Sequence, residues 1–299
     1  MTRITELKNG KLSAEFDGVY DAMRVVRKIG WKPRNSMSSN APASGDSDGF
    51  YTFNNLADAL DVFENKPETI RAFSVNDDRI ERIESPGKDV MFDVTGDYLD
   101  IDKFLMGEPE HMGNAVMGNP KNVFCTLNIL TSFVYYTTAE YQLVKQKRIL
   151  RLVDWLETQG VRVQIVAQDD SDVAFISTKV KEYQDPFNLN DLAVVCHPDW
   201  LRRFEFLVME QSKTWSYGYG SSSAYDKRMM KYVPQPEDGV YIYVGGYLPY
   251  TTGDSYWGQD NDIDALNKAF DDLEEKVMKL IEDGRTWNDE PFVIGGGRM

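Results

Sequence analysis

VFCTLNILTSFVYYTTAEYQLVKQKRILRLVDWLETQGVRVQIVAQ, residues 123–168, decides the fold class. Val123 to Tyr136 is dense in Val, Phe, Ile, Leu and Tyr, side chains that suit a pleated and buried strand. A helical pattern follows over 139–159. Thr138 stands where a cap belongs, and Tyr141, Val144, Ile149, Leu152, Val153 and Leu156 recur at helical spacing. Lys145, Lys147, Arg148, Arg151 and Glu157 are expected to fill much of the opposite face. Gly160 ends the helix as a residue that tolerates the left-handed cap conformation. Val161, Val163, Ile165 and Ala167 then alternate with Arg162, Gln164 and Gln168, which predicts a second strand over 161–168. Strand, crossover helix, strand sets two parallel strands side by side. The expected fold is therefore α/β, with a central mostly parallel or mixed sheet and helices packed on it.

On the N-terminal side, residues 17–31 (DGVYDAMRVVRKIGW) read as a helix ending at Gly30. Its expected apolar face is Val19, Tyr20, Met23, Val26 and Ile29. Arg24, Arg27, Lys28, Lys32 and Arg34 form a basic cluster there, either a solvated face or a contact for phosphates. Residues 35–49 are rich in Ser, Asn, Gly and Asp and read as a flexible loop. Asn54 or Asn55 caps a helix over 56–64, and 90–93 reads as a strand. On the C-terminal side, 172–181 is a strand, and 185–211 forms two helical segments broken at His197-Pro198. A strand over 240–244 and a helix over 262–282 follow. The helix carries a stripe of Ile263, Leu266, Phe270, Leu273, Val277, Leu280 and Ile281. Residues 285–299 read as a loose tail. One α/β domain over 1–299 accounts for all of this.

The chain of 299 residues carries a formal charge of -15 and a pI near 4.6. Bulk attraction to nucleic acid or anionic lipid is not expected from such a surface, although a local basic patch is compatible with it. The two cysteines, Cys125 and Cys196, sit inside apolar runs and read as buried reduced thiols. With His111 and His197 as the two histidines, a zinc site of the usual Cys/His kind is not expected, nor any other cofactor. No apolar run approaches a membrane span or a signal peptide, so the expected setting is a reducing cytoplasm.

Residues 212–232, SKTWSYGYGSSSAYDKRMMKY, differ from the rest in composition. Trp215, Tyr217, Tyr219, Tyr225 and Tyr232 are interleaved with Gly and Ser, and Lys213, Lys227, Arg228 and Lys231 flank them. Aromatic faces stack on unpaired bases, and Lys or Arg holds the phosphates; such a site needs no base-specific contact. The same rings could instead pack on the sheet. These residues, with Arg24, Arg27 and Lys28 as a second region, are the candidate nucleic-acid-binding set.

Two further motifs are VTGDYLDI (94–101), followed by GEPE (107–110) and Met112, and HPDWLRRF (197–204) with Phe206 and Glu210. Together with Tyr141-Gln142 and the turn from Leu156-Glu157 to Gly160, they resemble a family of poorly characterised tailed-phage proteins over about 90–211. That family is expected to include the early single-stranded-DNA-binding cofactor of the phage-encoded RNA polymerase in podophages that carry a virion polymerase. That resemblance implies single-strand binding, self-association, recruitment of a phage RNA polymerase and a place in the cytoplasm of an infected bacterium. It assigns no binding residue and implies no enzyme activity.

Two other readings stay open. Asp93, Asp97, Asp100, Asp102, Glu108 and Glu110 are dense enough for a divalent cation, as in a metal-dependent phosphoesterase. Turn and cap chemistry explains the same aspartates more simply, and no nucleophile, base or phosphate loop accompanies them. The acidic surface would also suit a non-enzymatic phage adaptor or inhibitor that binds a host protein.

Overall fold

The computed structural model describes residues 2–34, 53, 55–70, 90–93, 98–99, 112–115, 124–131, 139–158, 160–185, 188–216, 239–245, 263–282 and 292–294. The chain begins with a hairpin that the sequence pattern did not announce. Arg3–Glu6 (β1) pairs antiparallel with Leu12–Phe16 (β2). Leu12, Ala14 and Phe16 are buried, and Gly10 closes the turn at φ +82, a left-handed conformation that glycine adopts without a Cβ clash. Val19–Ile29 (α1) follows and ends at Gly30 in the left-handed region. Its buried face is Val19, Ala22, Met23 and Val26; Tyr20 and Ile29, expected inside, are 42% and 47% exposed. The correction follows from helix geometry. A face centred on 19, 22, 23 and 26 turns positions 20 and 29 toward its margins.

Leu56–Asn65 (α2) is capped by Asn55, whose side chain accepts the Asp58 N–H at 2.9 Å. Val90–Asp93 (β3), Tyr98–Leu99 (β4) and Met112–Ala115 (β5) make a small antiparallel sheet in the order β3-β5-β4. Phe124–Leu130 (β6), Ala139–Thr158 (α3) and Arg162–Asp170 (β7) are the expected βαβ unit, with β6 and β7 parallel from Phe124↔Arg162 to Leu130↔Gln168. Ala174–Lys181 (β8) then turns back antiparallel on β7 and lies parallel to β2. Gly239–Val244 (β9) and Phe292–Ile294 (β10) complete a seven-stranded mixed sheet in the order β1-β2-β8-β7-β6-β9-β10. The fold is α/β.

Between β8 and β9 the chain forms Leu189–Val195 (α4) and Phe206–Met209 (α5), separated by a wider turn over Trp200–Glu205. In that turn the Phe206 N–H reaches back five residues to Leu201 C=O, a π-type bond. The wide turn brings Trp200, Leu201, Arg203, Phe204 and Glu205 all into the interior. Trp200 and Phe204 stack at 4.2 Å, and Phe16 meets Phe204 edge-on at 5.6 Å. Helices α1, α4 and α5 pack on β8, whereas α3 packs on β7. Ile263–Glu282 (α6) lies against α3 and β10.

Two expectations are corrected here. The charged residues of α3 do not all lie on a face turned away from the core: Lys145 and Arg148 are buried, as are Gln142 and Gln146. Lys145 turns inward to Leu130 C=O and the neighbourhood of Cys196, whereas Arg148 is covered by α6. Arg148 bonds to Asp271 and, at 3.3 Å, to Glu274, with its guanidinium over the Phe270 ring. The 285–299 tail is not loose throughout, because Phe292–Ile294 pairs parallel with Ile242–Val244. No helix among the described residues is long and apolar enough to cross a membrane.

Candidate nucleic-acid interface

The end of α5 brings together segments far apart in sequence. After Met209 the chain makes a serine turn: Ser212 Oγ accepts the Thr214 N–H at 3.3 Å and donates to Gly10 C=O at 3.1 Å. This seats the turn on the β1–β2 hairpin, where a Cβ on Gly10 would come within 3.1 Å of Thr214 Cγ2. The segment that leaves α1, residues 31–34, crosses the same spot. Gln211 Nε2 donates to Lys32 C=O at 3.3 Å, and Arg34 donates through its backbone N–H to the Glu210 carboxylate. The Arg34 guanidinium donates to Glu210 C=O at 2.8 Å and lies over Trp215, 4.9 Å from the ring centroid.

Two of the sequence-predicted regions therefore meet. Lys213 and Trp215, where the aromatic stretch begins, adjoin Lys32 and Arg34 at the end of the basic cluster. Lys213 is exposed and pairs with Glu6 at 2.8 Å. Lys8 stands exposed on the hairpin turn, while Lys11 is tied to Asp170. The other cations of the cluster point elsewhere in the pairing scheme: Arg24 bonds to Asp21 at 2.6 Å and Arg27 to Glu64 at 2.7 Å, and Lys28 is exposed. Tyr217, Tyr219, Tyr225, Lys227, Arg228, Lys231 and Tyr232 lie outside the described residues.

Trp215 itself departs from an exposed stacking platform. It is 9% exposed and packs with the main hydrophobic core. An indole offers a large apolar surface, and the hairpin turn and residues 31–34 supply the cover. Nothing in the spacing of 212–232 announces this, because the covering residues come from the other end of the chain. The sequence marks Arg34 as part of the basic cluster and Glu210 as part of a motif, but the contact between them, which organises the site, is visible only once the fold is known.

Among the described residues, Cys125, Cys196, His197 and Glu205 are buried or half-buried in the fold. Burial holds the Cys196 thiol up at about 11, and the Cys125 thiol is raised further by complete burial, so neither is a ready thiolate. His197 lies between Phe53 and Phe63, with ring centroids at 5.3 and 5.6 Å, and its Nδ1 accepts the Asp199 N–H at 3.1 Å. Burial lowers its pKa to about 4. Glu205, also buried, accepts from Trp200 Nε1 at 3.1 Å and lies 2.8 Å from the Thr131 hydroxyl. Desolvation, helped by the neighbouring Asp169 carboxylate, raises its pKa well above the usual range. Among the described residues no group of three His, Cys, Asp or Glu side chains could hold a metal ion. Of the 93–110 carboxylates, Asp93 starts no such group, and Asp97, Asp100, Asp102, Glu108 and Glu110 lie outside the described residues.

The two titrations oppose each other. His197 stays neutral in the fold until about pH 4, whereas the unfolded chain protonates it near 6.5. Its contribution is therefore present above 6.5 and lost as pH falls toward 4. Glu205 is protonated in the fold where the unfolded chain ionises it, so its contribution is lost as pH rises above the ordinary carboxylate range. His197→Gln is expected to remove up to one proton of uptake on unfolding between pH 4 and 6.5. Chemical denaturation at stepped pH should show this as a change in slope of up to about 1.4 kcal/mol per pH unit; an unchanged slope would mean that His197 titrates alike in both states.

No curated protein and no solved structure matches the chain. Residues 4–273 match a family model described as a domain of unknown function, DUF7192, and the chain belongs to that family.

Proposed function

We propose that this protein is a phage single-stranded-DNA-binding cofactor that recruits a phage RNA polymerase to DNA, with self-association, in the cytoplasm of an infected host. The observation that supports this reading is the contact of Arg34 with Trp215 at 4.9 Å, which joins the end of the basic cluster to the start of the Gly/Ser/Tyr-rich sequence, with Lys32 held by Gln211 and exposed Lys213 two residues from Trp215. Cations at the base of an aromatic stretch are the two components that non-specific single-strand binding combines. The acidic remainder of the surface would limit indiscriminate attraction to duplex DNA.

Fluorescence polarisation with single-stranded DNA, duplex DNA and RNA oligonucleotides, over a salt series, tests the reading. Single strands should bind more tightly than duplex, and affinity should fall with salt. Replacing Lys227 and Arg228 together by alanine should flatten the log–log salt slope by about 1.4, two released counterions for a single strand. No single-strand binding at low salt, or a preference for duplex, would reject the reading. Co-purification with the phage polymerase tests the partner.

A further inference from the structure

We infer that the stacking face offered to a base at this site is the guanidinium plane of Arg34, with Trp215 as its positioning residue. The inference rests on the single-strand reading and goes beyond it in saying which group meets the base. Trp215 opens the aromatic stretch, yet it is buried, and Arg34 covers it at 4.9 Å. Residue 34 is itself exposed. A guanidinium has two flat faces. When one lies on an indole, the other can receive a nucleobase, and bases do stack on arginine planes as they do on aromatic rings.

The plane is held from several sides. The guanidinium donates to Glu210 C=O at 2.8 Å, and the Arg34 backbone N–H donates to the Glu210 carboxylate, which is fully buried. Gln211 fixes Lys32 two residues earlier. Contact with the ring adds a cation–π attraction. A side chain meant only to reach a phosphate needs no such support, because a mobile lysine supplies the same charge. Fixed orientation matters for a planar contact.

The test uses two ligands, oligo-dT and an abasic sugar-phosphate strand of the same length, which carries the phosphates without bases. Arg34→Lys keeps the charge and removes the plane. It should weaken oligo-dT binding about five-fold or more, the lower end for loss of one stacked base, and leave abasic binding and the salt slope unchanged. Trp215→Leu, checked for folding by thermal melting, should act in the same selective way, and Trp215→Phe should restore oligo-dT affinity. Equal oligo-dT affinity in Arg34→Lys and the native protein would overturn the inference while leaving single-strand binding in place. So would equal losses on the two strands, which would make Arg34 a phosphate contact. If the native protein binds neither strand, the single-strand reading fails and this inference with it.

Discussion

Arg203→Met is expected to cost the fold about 3–5 kcal/mol, the usual consequence of removing one partner from a buried ion pair. The Arg203 side chain is 2% exposed, and its Nε lies 3.4 Å from Oδ1 of Asp199, which has no exposed surface. A second nitrogen donates to the Phe53 carbonyl at 2.9 Å, tying the segment before α2 to the wide turn. Methionine fills much of the same volume, so the loss would be electrostatic more than a cavity. It would leave the Asp199 carboxylate desolvated without this cation and the Phe53 carbonyl without this donor. Adding Asp199→Asn to Arg203→Met should recover part of the loss, because the stranded charge is then gone. Urea denaturation of the two single variants and the double variant measures the coupling. A loss below about 1 kcal/mol in Arg203→Met would show that the pair is solvated in the folded protein.

The second large effect has the opposite sign. Lys145→Met should stabilise the protein at neutral pH. Lys145 is buried on α3, donates to Leu130 C=O at 3.2 Å, and has its pKa lowered by desolvation to about 8. Its neighbour Cys196 offsets only part of that. The folded ammonium therefore carries a burial penalty at pH 7 that the unfolded chain does not. A shift of this size corresponds to about 3 kcal/mol, from which about 1 kcal/mol is subtracted for the unbonded Leu130 carbonyl. As pH rises from 8 to 10.5 the native lysine releases its proton before the unfolded one does, and native stability recovers. The advantage of Lys145→Met should thus be greatest below pH 8 and largely gone by about pH 10.5. A variant less stable than the native protein at pH 7 would show that the ammonium has more favourable contacts than Leu130 alone supplies.

Lys145 also shows where the sequence was legible and where it was not. The 123–168 pattern announces the parallel pair and its crossover helix because periodicity is a local property of the chain. The same holds for the Asn55 cap, the break at His197-Pro198 and the α6 stripe. Lys145 and Arg148 read as lying opposite the apolar face because nothing near them in sequence says that Lys145 meets the neighbourhood of Cys196, about 50 residues later, or that α6, more than 100 residues later, covers Arg148. The β1–β2 hairpin is short, and its pairing with β8 is entirely non-local. Strand β10 is three residues long beside a glycine run and has no periodicity to detect. At the candidate site, composition pointed to Lys213 and Trp215, but the roles of Arg34 and Glu210 arise from a contact between residues 176 apart in sequence.

The pairing of β2 with β8 has a consequence measured in time. Leu12–Phe16 cannot reach its parallel neighbour until Ala174–Thr178 has been synthesised, about 160 residues later. At roughly 5–20 residues per second, translation takes about 8–30 s to cover that distance. Throughout that interval β2, with Leu12, Ala14 and Phe16, has β1 as its strand partner and its other hydrogen-bonding edge waits for β8. A ribosome-bound chain halted before residue 174 should consequently recruit holdase chaperones, and one extended far enough for β8 to clear the exit tunnel should release them.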